Sequence, residues 1–351
     1  MRIMIRLLVV AFVLGEASSA MADVAMAWAV SPIYPGPSNV YPTTVRVVSD
    51  AQFNSHDGSG IIITNTSKGS YTVVFPKLST GHADLGNVQV VSLGWGTSEY
   101  CNIVDWHLTV RLPNVTAHVQ CFASDGTLAD SQFVIYYLRG RNSYMLNPDG
   151  TNPTVASFYS HQDQDGAPIE ISRIDTGYYQ VKFHQNFSGT NGQAFATAYG
   201  SNNHCQVTDC LPDGTVSVGC FATDGRDTDA AFAVTVGQHG GLPSAQAHYT
   251  RLWNFVSLSS TPRPGDAEGT LSMGFDSRPD DVSFYFIDHG EVEPGPLWGA
   301  SAVFVNSTFR GLYCKPASWY LGESSKVLVN CFLFSGQTRT APYVEQLITS
   351  P

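Results

Sequence analysis

Charged side chains are scarce in this chain, and basic ones are the scarcer kind. Of its 351 residues only 13% are charged, and 18 lysines and arginines stand against 29 aspartates and glutamates, a formal net charge of −11. Nucleic-acid binding depends on basic residues that displace counterions from phosphates. The composition therefore predicts no nucleic-acid partner, and it disfavours an anionic membrane surface for the same reason.

Long apolar runs are absent after the N-terminal segment. Residues 1–22 have two basic residues near their start, Arg2 and Arg6. The apolar segment Leu7 to Leu14 follows, and the stretch ends in Ala20-Met21-Ala22. This pattern is typical of a cleaved signal peptide, and the apolar segment has about half of the ~20 residues that a spanning helix needs. The sequence predicts a secreted, extracellular or periplasmic protein with no membrane span after signal cleavage.

The short motifs of common enzyme classes are missing. The chain has no G-x-S-x-G, H-E-x-x-H, C-x-x-C, P-loop or dinucleotide-binding glycine sequence. Each of these motifs places a group that its chemistry requires. Their absence favours a non-enzymatic protein, although β-fold glycosidases and lyases carry no short universal motif.

Cysteine is present in a regular pattern, since six of the seven fall into three similar blocks. Each block has a cysteine, a turn sequence, a Cys-Phe pair and a glycine five residues after the second cysteine. Turn chemistry lies at or beside the midpoint of each pair, as a hairpin requires. In an oxidising compartment this spacing predicts three intra-hairpin disulfides: Cys101–Cys121, Cys205–Cys220 and Cys314–Cys331.

The rest of the chain alternates apolar and polar residues with period two, which is typical of strands. Corresponding strands are predicted at Tyr71-Val73-Phe75, Tyr179-Val181-Phe183 and Val282-Phe284-Phe286, and no convincing helical segment is found. The cysteine blocks recur at intervals of roughly 105 residues, a length that can fold around its own core.

The predicted fold is all-β, with three tandem antiparallel β-sandwich domains, each carrying one intra-hairpin disulfide. Small β-barrels are the alternative architecture. After the signal peptide at 1–22, the predicted domains span residues 23–139, 140–248 and 249–351.

Four segments of the first repeat carry a resemblance: Gly69–Pro76, Gly86–Val90, Tyr100-Cys101 and Val119–Phe122. They resemble a triplicated, disulfide-stapled β-domain module of secreted bacterial proteins, chiefly from actinobacteria and some proteobacteria. The resemblance extends over nearly the whole mature chain, with departures in the later repeats. It implies architecture and export, and it implies no activity.

Cys210 is the cysteine without a partner in the predicted pairing. It stands five residues after Cys205, where the other two repeats have Trp106 and Trp319. An unpaired cysteine in a secreted protein indicates an intermolecular disulfide, and thus self-association, or a reactive thiol. The competing interpretation is a small buried hydrophobe in a repacked core.

Two further patterns are candidate ligand sites. Trp95 and Trp298 lie in glycine-flanked loops, where an exposed indole can stack on a sugar, although packing of the loop is the competing interpretation. Asp163 and Asp165 precede a glycine and resemble part of a calcium loop, without its distal carboxylate. The ten histidines show no metal-ligand spacing, so calcium is the one cofactor considered, and otherwise none is expected.

An acidic insertion of the third repeat is the first place to look for catalysis. It holds Asp288, His289, Glu291 and Glu293 ahead of Cys314. Paired carboxylates beside a histidine can act as general acid and base, whereas a solvated charged loop is the simpler interpretation.

The leading hypothesis is a secreted, non-enzymatic surface-binding or adhesion protein that recognises a glycan or a component of the cell envelope. One alternative is an extracellular polysaccharide hydrolase or lyase that uses the acidic insertion. The other is a structural or coat component that self-associates through Cys210. Tandem repetition favours binding, because linked weak sites gain avidity.

Overall fold

The structure is a computed structural model of the chain. It describes residues 25–31, 41–47, 52–56, 60–78, 85–94, 98–109, 113–140, 143–161, 168–184, 192–211, 213–238, 247–251, 285–288, 301–307, 312–320, 326–336 and 343–349. The predicted signal peptide at 1–22 lies outside these residues.

The described residues form strands throughout, with one short 3-10 turn at Ser157–Tyr159 and no α-helix. The strands of the first repeat are β1 (Ala25–Val30), β2 (Thr43–Arg46), β3 (Gln52–Asn54), β4 (Ile62–Ser67), β5 (Ser70–Phe75), β6 (Asn87–Leu93), β7 (Tyr100–Leu108), β8 (Val115–Phe122) and β9 (Gln132–Arg139). Those of the second repeat are β10 (Ser143–Asn147), β11 (Glu170–Asp175), β12 (Tyr178–Lys182), β13 (Gly192–Ala198), β14 (His204–Cys210), β15 (Thr215–Phe221) and β16 (Phe232–Gln238). The third repeat has β17 (Ala247–Arg251), β18 (Tyr285–Asp288), β19 (Ser301–Ser307), β20 (Leu312–Tyr320), β21 (Lys326–Leu333) and β22 (Tyr343–Thr349). The all-β prediction is therefore confirmed.

Each repeat builds two antiparallel sheets with the same strand order. The hairpin sheet contains the cysteine hairpin, in the orders β5-β8-β7, β12-β15-β14 and β18-β21-β20, and the first two repeats extend it with β2-β4 and with β11. The opposite sheet has the orders β1-β9-β6, β10-β16-β13 and β17-β22-β19, with β3 added beside β1. No sheet among the described residues closes into a barrel. None of their helices is long and apolar enough to cross a membrane.

Side chains from both sheets share one core in the first repeat, and a second cluster repeats this arrangement. Tyr71 on β5 contacts Phe133 on β9 with ring centroids 5.0 Å apart, and Tyr179 contacts Phe232 at the same distance in the second repeat. The burial of β5 alternates as the sequence pattern predicts, with Val73 fully buried. Burying such side chains contributes roughly 1.5–3 kcal/mol each.

The predicted strand face of the third repeat is out of phase by one residue. Tyr71 and Tyr179 each pair with the residue two before the second cysteine, and in the third repeat the residue in that register is Tyr285, not Phe284 or Phe286. The segment around Tyr285 is apolar on both faces, so alternation could not assign its phase.

The cysteine hairpins share two local features. Each disulfide joins directly opposed residues, Cys101 with Cys121, Cys205 with Cys220 and Cys314 with Cys331, so the expected intra-hairpin disulfides are present. Each first strand also has a β-bulge shortly after its cysteine, at Ile103/Asp105, Val207/Asp209 and Pro316/Ser318. A bulge shifts the alternation of side chains by one residue and bends the strand.

Candidate functional site

Most of the predicted ligand and catalytic side chains lie outside the described residues. These are Trp95, Trp298, Asp163, Asp165, His289, Glu291 and Glu293. Asp288 is the last residue of β18, where its backbone pairs with Lys326. The glycan, calcium and acid/base hypotheses at these positions therefore stay predictions.

Cys210 of the second repeat belongs to none of the three disulfides, as expected from the spacing of the other cysteines. It is half-buried, pairs with Val216 across the hairpin, and packs against the core cluster of its repeat. A small side chain thus stands at the position that Trp106 fills in the first repeat. Self-association through Cys210 remains a prediction.

The three cysteine hairpins converge on one aromatic cluster, here called the hub. Its rings stand directly before the first cysteine or after the second in each repeat, with one further phenylalanine from the third: Tyr100, Phe122, His204, Phe221, Tyr313, Phe332 and Phe334. Tyr100 and Tyr313 lie with ring centroids 6.0 Å apart, and Phe221 and Phe334 lie 5.3 Å apart. Residues far apart in sequence thus bury their rings against one another.

Polar contacts around the hub run in one direction from repeat to repeat. Tyr100 donates its hydroxyl hydrogen to the carbonyl of Asn202 at 2.5 Å, three residues before Cys205. Tyr313 donates in the same way to the carbonyl of Ser98, three residues before Cys101. The same contact therefore joins the first repeat to the second and the third repeat to the first.

The residue after the first cysteine continues this pattern. Asn102 donates to the carbonyl of Asn203 at 2.6 Å, and Lys315 donates to the carbonyl of Glu99 at 3.2 Å. Both acceptors lie two residues before the neighbouring repeat's cysteine. Since both donors are buried, these hydrogen bonds are needed to offset the loss of their hydration.

The repeated turn glycines close the ring of contacts. A Cβ on Gly126 would lie 2.5 Å from Thr223, one on Gly225 would lie 3.2 Å from Phe334, and one on Gly336 would lie 2.8 Å from Ser124. Each neighbour stands three residues after the second cysteine of the next repeat. The contacts therefore run from the first repeat to the second, from the second to the third and from the third back to the first, in a pseudo-threefold arrangement.

A small cavity borders the hub, with a volume of about 40 Å³. The first cysteines Cys101, Cys205 and Cys314 line it, together with polar side chains such as Gln89 and Thr197. Thr197 donates a hydrogen bond to Gln89 at 2.7 Å, so the two repeats also meet through a buried polar pair. A cavity of this size has room for a few water molecules, and it is far smaller than the several hundred Å³ of a typical ligand pocket.

Burial controls the charges at the hub. It lowers the pKa of His204 to about 4, because the ring packs among Tyr100, Tyr313 and Phe334. Burial also lowers the pKa of Lys315 to about 8, although the nearby Glu99 opposes that shift. The hub is thus a buried contact between repeats, in which His204 is neutral near pH 7.

A different group of polar side chains lies on the outer face of the first hairpin. Asp105 and His107 are on β7, and His118 is on β8 directly opposite Asp105. Each offers a metal-ligating atom within 4.8 Å of the others. The spacing of the histidines in the sequence did not predict this group.

The sequence holds only a weak signal for this group, an Asp-x-His on a strand and a histidine beyond the turn. Strict alternation from the buried Ile103 would have placed Asp105 inward. The bulge after Ile103 reverses that assignment, so Trp106 is buried and its two neighbours face outward. Pairing registers and bulges are not readable from a single sequence.

No protein-family model matches the chain, and neither does any curated protein or solved structure.

Proposed function

We propose that the protein is a secreted or periplasmic, non-enzymatic binding protein that attaches to a surface by recognising a glycan or another component of a cell envelope. The observation that supports this most is the cyclic set of contacts at the hub. The contacts hold three similar units together. Disulfides in all three units are typical of proteins that fold outside the cytosol.

The proposal includes a division into three sandwich domains, at residues 23–139, 140–248 and 249–351. Each repeat has two sheets in the same strand order, and in the first repeat both sheets contribute to one core cluster. Face-to-face antiparallel sheets around a shared core are the defining arrangement of a sandwich.

Repetition in a fixed arrangement favours surface binding over binding of a single soluble molecule. Linked sites that engage one surface act at a high effective concentration, so their combined affinity exceeds that of each site. Units that are already held in place lose less conformational freedom on binding than units on flexible linkers. The hub provides that preorganisation through buried rings and inter-repeat hydrogen bonds.

A retention assay on the mature chain tests the proposal. The protein is applied to glycan arrays, insoluble polysaccharides and whole-cell or envelope preparations, with the bound fraction measured by sedimentation. We expect retention on one class of polysaccharide or envelope, competed by its free oligosaccharide, and reduced by Trp95→Ala or Trp298→Ala. No retention on any preparation would contradict the proposal.

Two alternatives stay predictions: a polysaccharide hydrolase or lyase that uses Asp288, Glu291 and Glu293, and a coat component joined through Cys210. Nothing in the part of the chain that the structure describes favours either over surface binding.

A further inference from the structure

The group Asp105, His107 and His118 is peculiar to the first repeat. At the positions with the same offsets from the cysteines, the second repeat has Asp209, Leu211 and Ser217, and the third repeat has Ser318, Tyr320 and Leu328. The hub requires none of these side chains, since they lie beyond the bulge from the disulfide. Convergence of two imidazoles and a carboxylate is therefore an addition to the common architecture.

The donor atoms are spaced as ligands of one small cation. Asp105 Oδ1 lies 2.7 Å from His118 Nδ1 and 3.6 Å from His107 Nδ1. Metal–ligand bonds of about 2.0–2.1 Å in a tetrahedron put neighbouring ligand atoms about 3.3 Å apart. The two measured separations lie on either side of that value, so small side-chain rotations would place all three atoms around one ion.

The backbone that carries these ligands is firmly anchored. Trp106, between Asp105 and His107, is buried and packs against Tyr159 and Tyr199 with ring centroids 5.0 and 5.7 Å away. Its indole N–H also donates to the carbonyl of Gly86 at 3.3 Å. Trp106 thus holds β7 so that both neighbouring side chains face outward, and a site on a rigid strand is better defined than one on a loop.

The ligand side chains are open to solvent. The exposed fractions are 45% for Asp105, 51% for His107 and 38% for His118. An ion bound here would have three protein ligands and would complete its coordination with water. A cation can enter such a site without any rearrangement of the core.

We propose that Asp105, His107 and His118 form a binding site for a divalent transition-metal ion, with zinc, copper or nickel as the matching class. Imidazole and carboxylate together suit these ions, whereas calcium and magnesium require oxygen ligands. The site is independent of the proposed surface binding, because it lies in one repeat and uses none of the predicted sugar-binding residues.

Isothermal titration calorimetry on the mature, disulfide-bonded chain tests this site. The protein is freed of metal with a chelator and titrated separately with ZnCl₂, NiCl₂ and CuCl₂. We expect about one equivalent of metal to bind, and His107→Ala, His118→Ala and Asp105→Asn each to weaken binding at least tenfold. The control His56→Ala, at an exposed histidine outside the group, should leave binding unchanged.

A second measurement separates ligand loss from misfolding. Bound Co²⁺ reports its coordination through visible absorption, and circular dichroism reports the fold of each variant. His107→Ala removes the most exposed of the three side chains, so its fold should be intact while the cobalt absorption is lost. Absence of binding to the wild type, or equal binding by the wild type and all three variants, would overturn the proposal.

Discussion

The hairpins β7–β8 and β14–β15 are alike near the disulfide and differ in the residues beyond the bulge. Both have an opposed cysteine pair and a bulge at the same offset, and each is followed by a tight turn with a glycine at positive φ, +79° for Gly126 and +82° for Gly225. Beyond the bulge, the first hairpin presents His107 where the second presents Leu211, which is exposed.

The difference shows which part of the repeat is constrained. Residues near the disulfide contact the neighbouring repeat, so a change there disturbs two units at once. Beyond the bulge, one strand position holds side chains of very different size and contacts. Trp106 reaches Tyr159 and Tyr199 of the second repeat, whereas the small Cys210 packs against the core cluster of its own repeat.

The largest effect is expected at a glycine that both repeats share. Gly69 and Gly177 have φ of +65°, and a Cβ there would lie 2.6 and 2.5 Å from the carbonyl oxygens of Cys121 and Cys220. Alanine at either should cost on the order of 3 kcal/mol or more of unfolding free energy, from backbone strain and overpacking. Chemical denaturation measures the loss.

Gly200→Ala is the matched control for these two variants. Its φ is +64°, but the nearest atom to a Cβ is the carbonyl oxygen of Val104 at 3.9 Å. In Gly200→Ala only the strain of the left-handed backbone remains, so the unfolding free energy should fall by about 1 kcal/mol. Equal losses in all three variants would contradict the role of the close backbone contact.

The next largest effect concerns the hub, where the third repeat departs from the other two. Phe334 occupies the position of Ser124 and Thr223, and it is buried against Phe221 and Gly225. Phe334→Ser should destabilise the protein by roughly 3 kcal/mol, since a large buried ring is removed. It should also make the junctions between repeats more sensitive to limited proteolysis. The exposed Phe158, changed to serine as a control, should have little effect.

An acid-dependent effect is expected at an aspartate that both repeats share. Burial alone would raise the pKa of Asp130, but hydrogen bonds from the Gly69 amide, Tyr41, Asn65 and Tyr71 hold this pKa below its ordinary value. Such a carboxylate stabilises the fold above the unfolded pKa of about 3.9, and that contribution is lost as the pH falls through the lower folded pKa.

Asp130→Asn should therefore lower the unfolding free energy by about 1–2 kcal/mol near pH 7, because it replaces a charged hydrogen-bond acceptor with a neutral one. Its unfolding free energy should then change less than that of the wild type as the pH is lowered below about 4. Asp229 makes the equivalent bond to Gly177, and the Arg173 guanidinium lowers its pKa. Asp229→Asn should show the same trend, and opposite trends in the two repeats would contradict their equivalence.

A second pH effect, nearer neutrality, is expected at His204, which stands where the other repeats have Tyr100 and Tyr313. Its pKa is lowered to about 4 by burial. The neutral ring supports the hub fully above its unfolded pKa of about 6.5, and this support is lost as the pH falls toward 4. His204→Tyr should reduce the pH dependence of thermal unfolding between these values. An unchanged pH profile would show that burial in the hub does not shift the pKa of this ring.

A clear effect on binding should come from making the second hairpin resemble the first. Leu211→His and Ser217→His together would place two imidazoles near Asp209. The double variant should bind a second equivalent of zinc in titration calorimetry. Because Ser217 is only 3% exposed, the larger imidazole should also cost about 1–3 kcal/mol of unfolding free energy. A single equivalent would show that the first hairpin supplies more than these three residues.

Local patterns predicted some features and missed others for identifiable reasons. The glycine five residues after each second cysteine is part of the repeated sequence pattern, and it has a positive φ in the structure. Sequence reasoning did not show that Gly126 also makes room for Thr223 of the next repeat. The phase of β18 was wrong because both of its faces are apolar, and the Asp105 group was missed because a bulge reverses the alternation.

The amino-acid sequence by itself determined the β-class, the threefold repetition and the hairpin disulfides, because these follow from alternation, turn residues and cysteine spacing within short segments. Only the tertiary structure decided that the disulfide ends meet in one hub, and that Asp105, His107 and His118 converge on one outer face. The physical reason is that contacts between repeats join residues about one or two domain lengths apart in the sequence. A single extra residue in a strand, moreover, changes which side chains face outward.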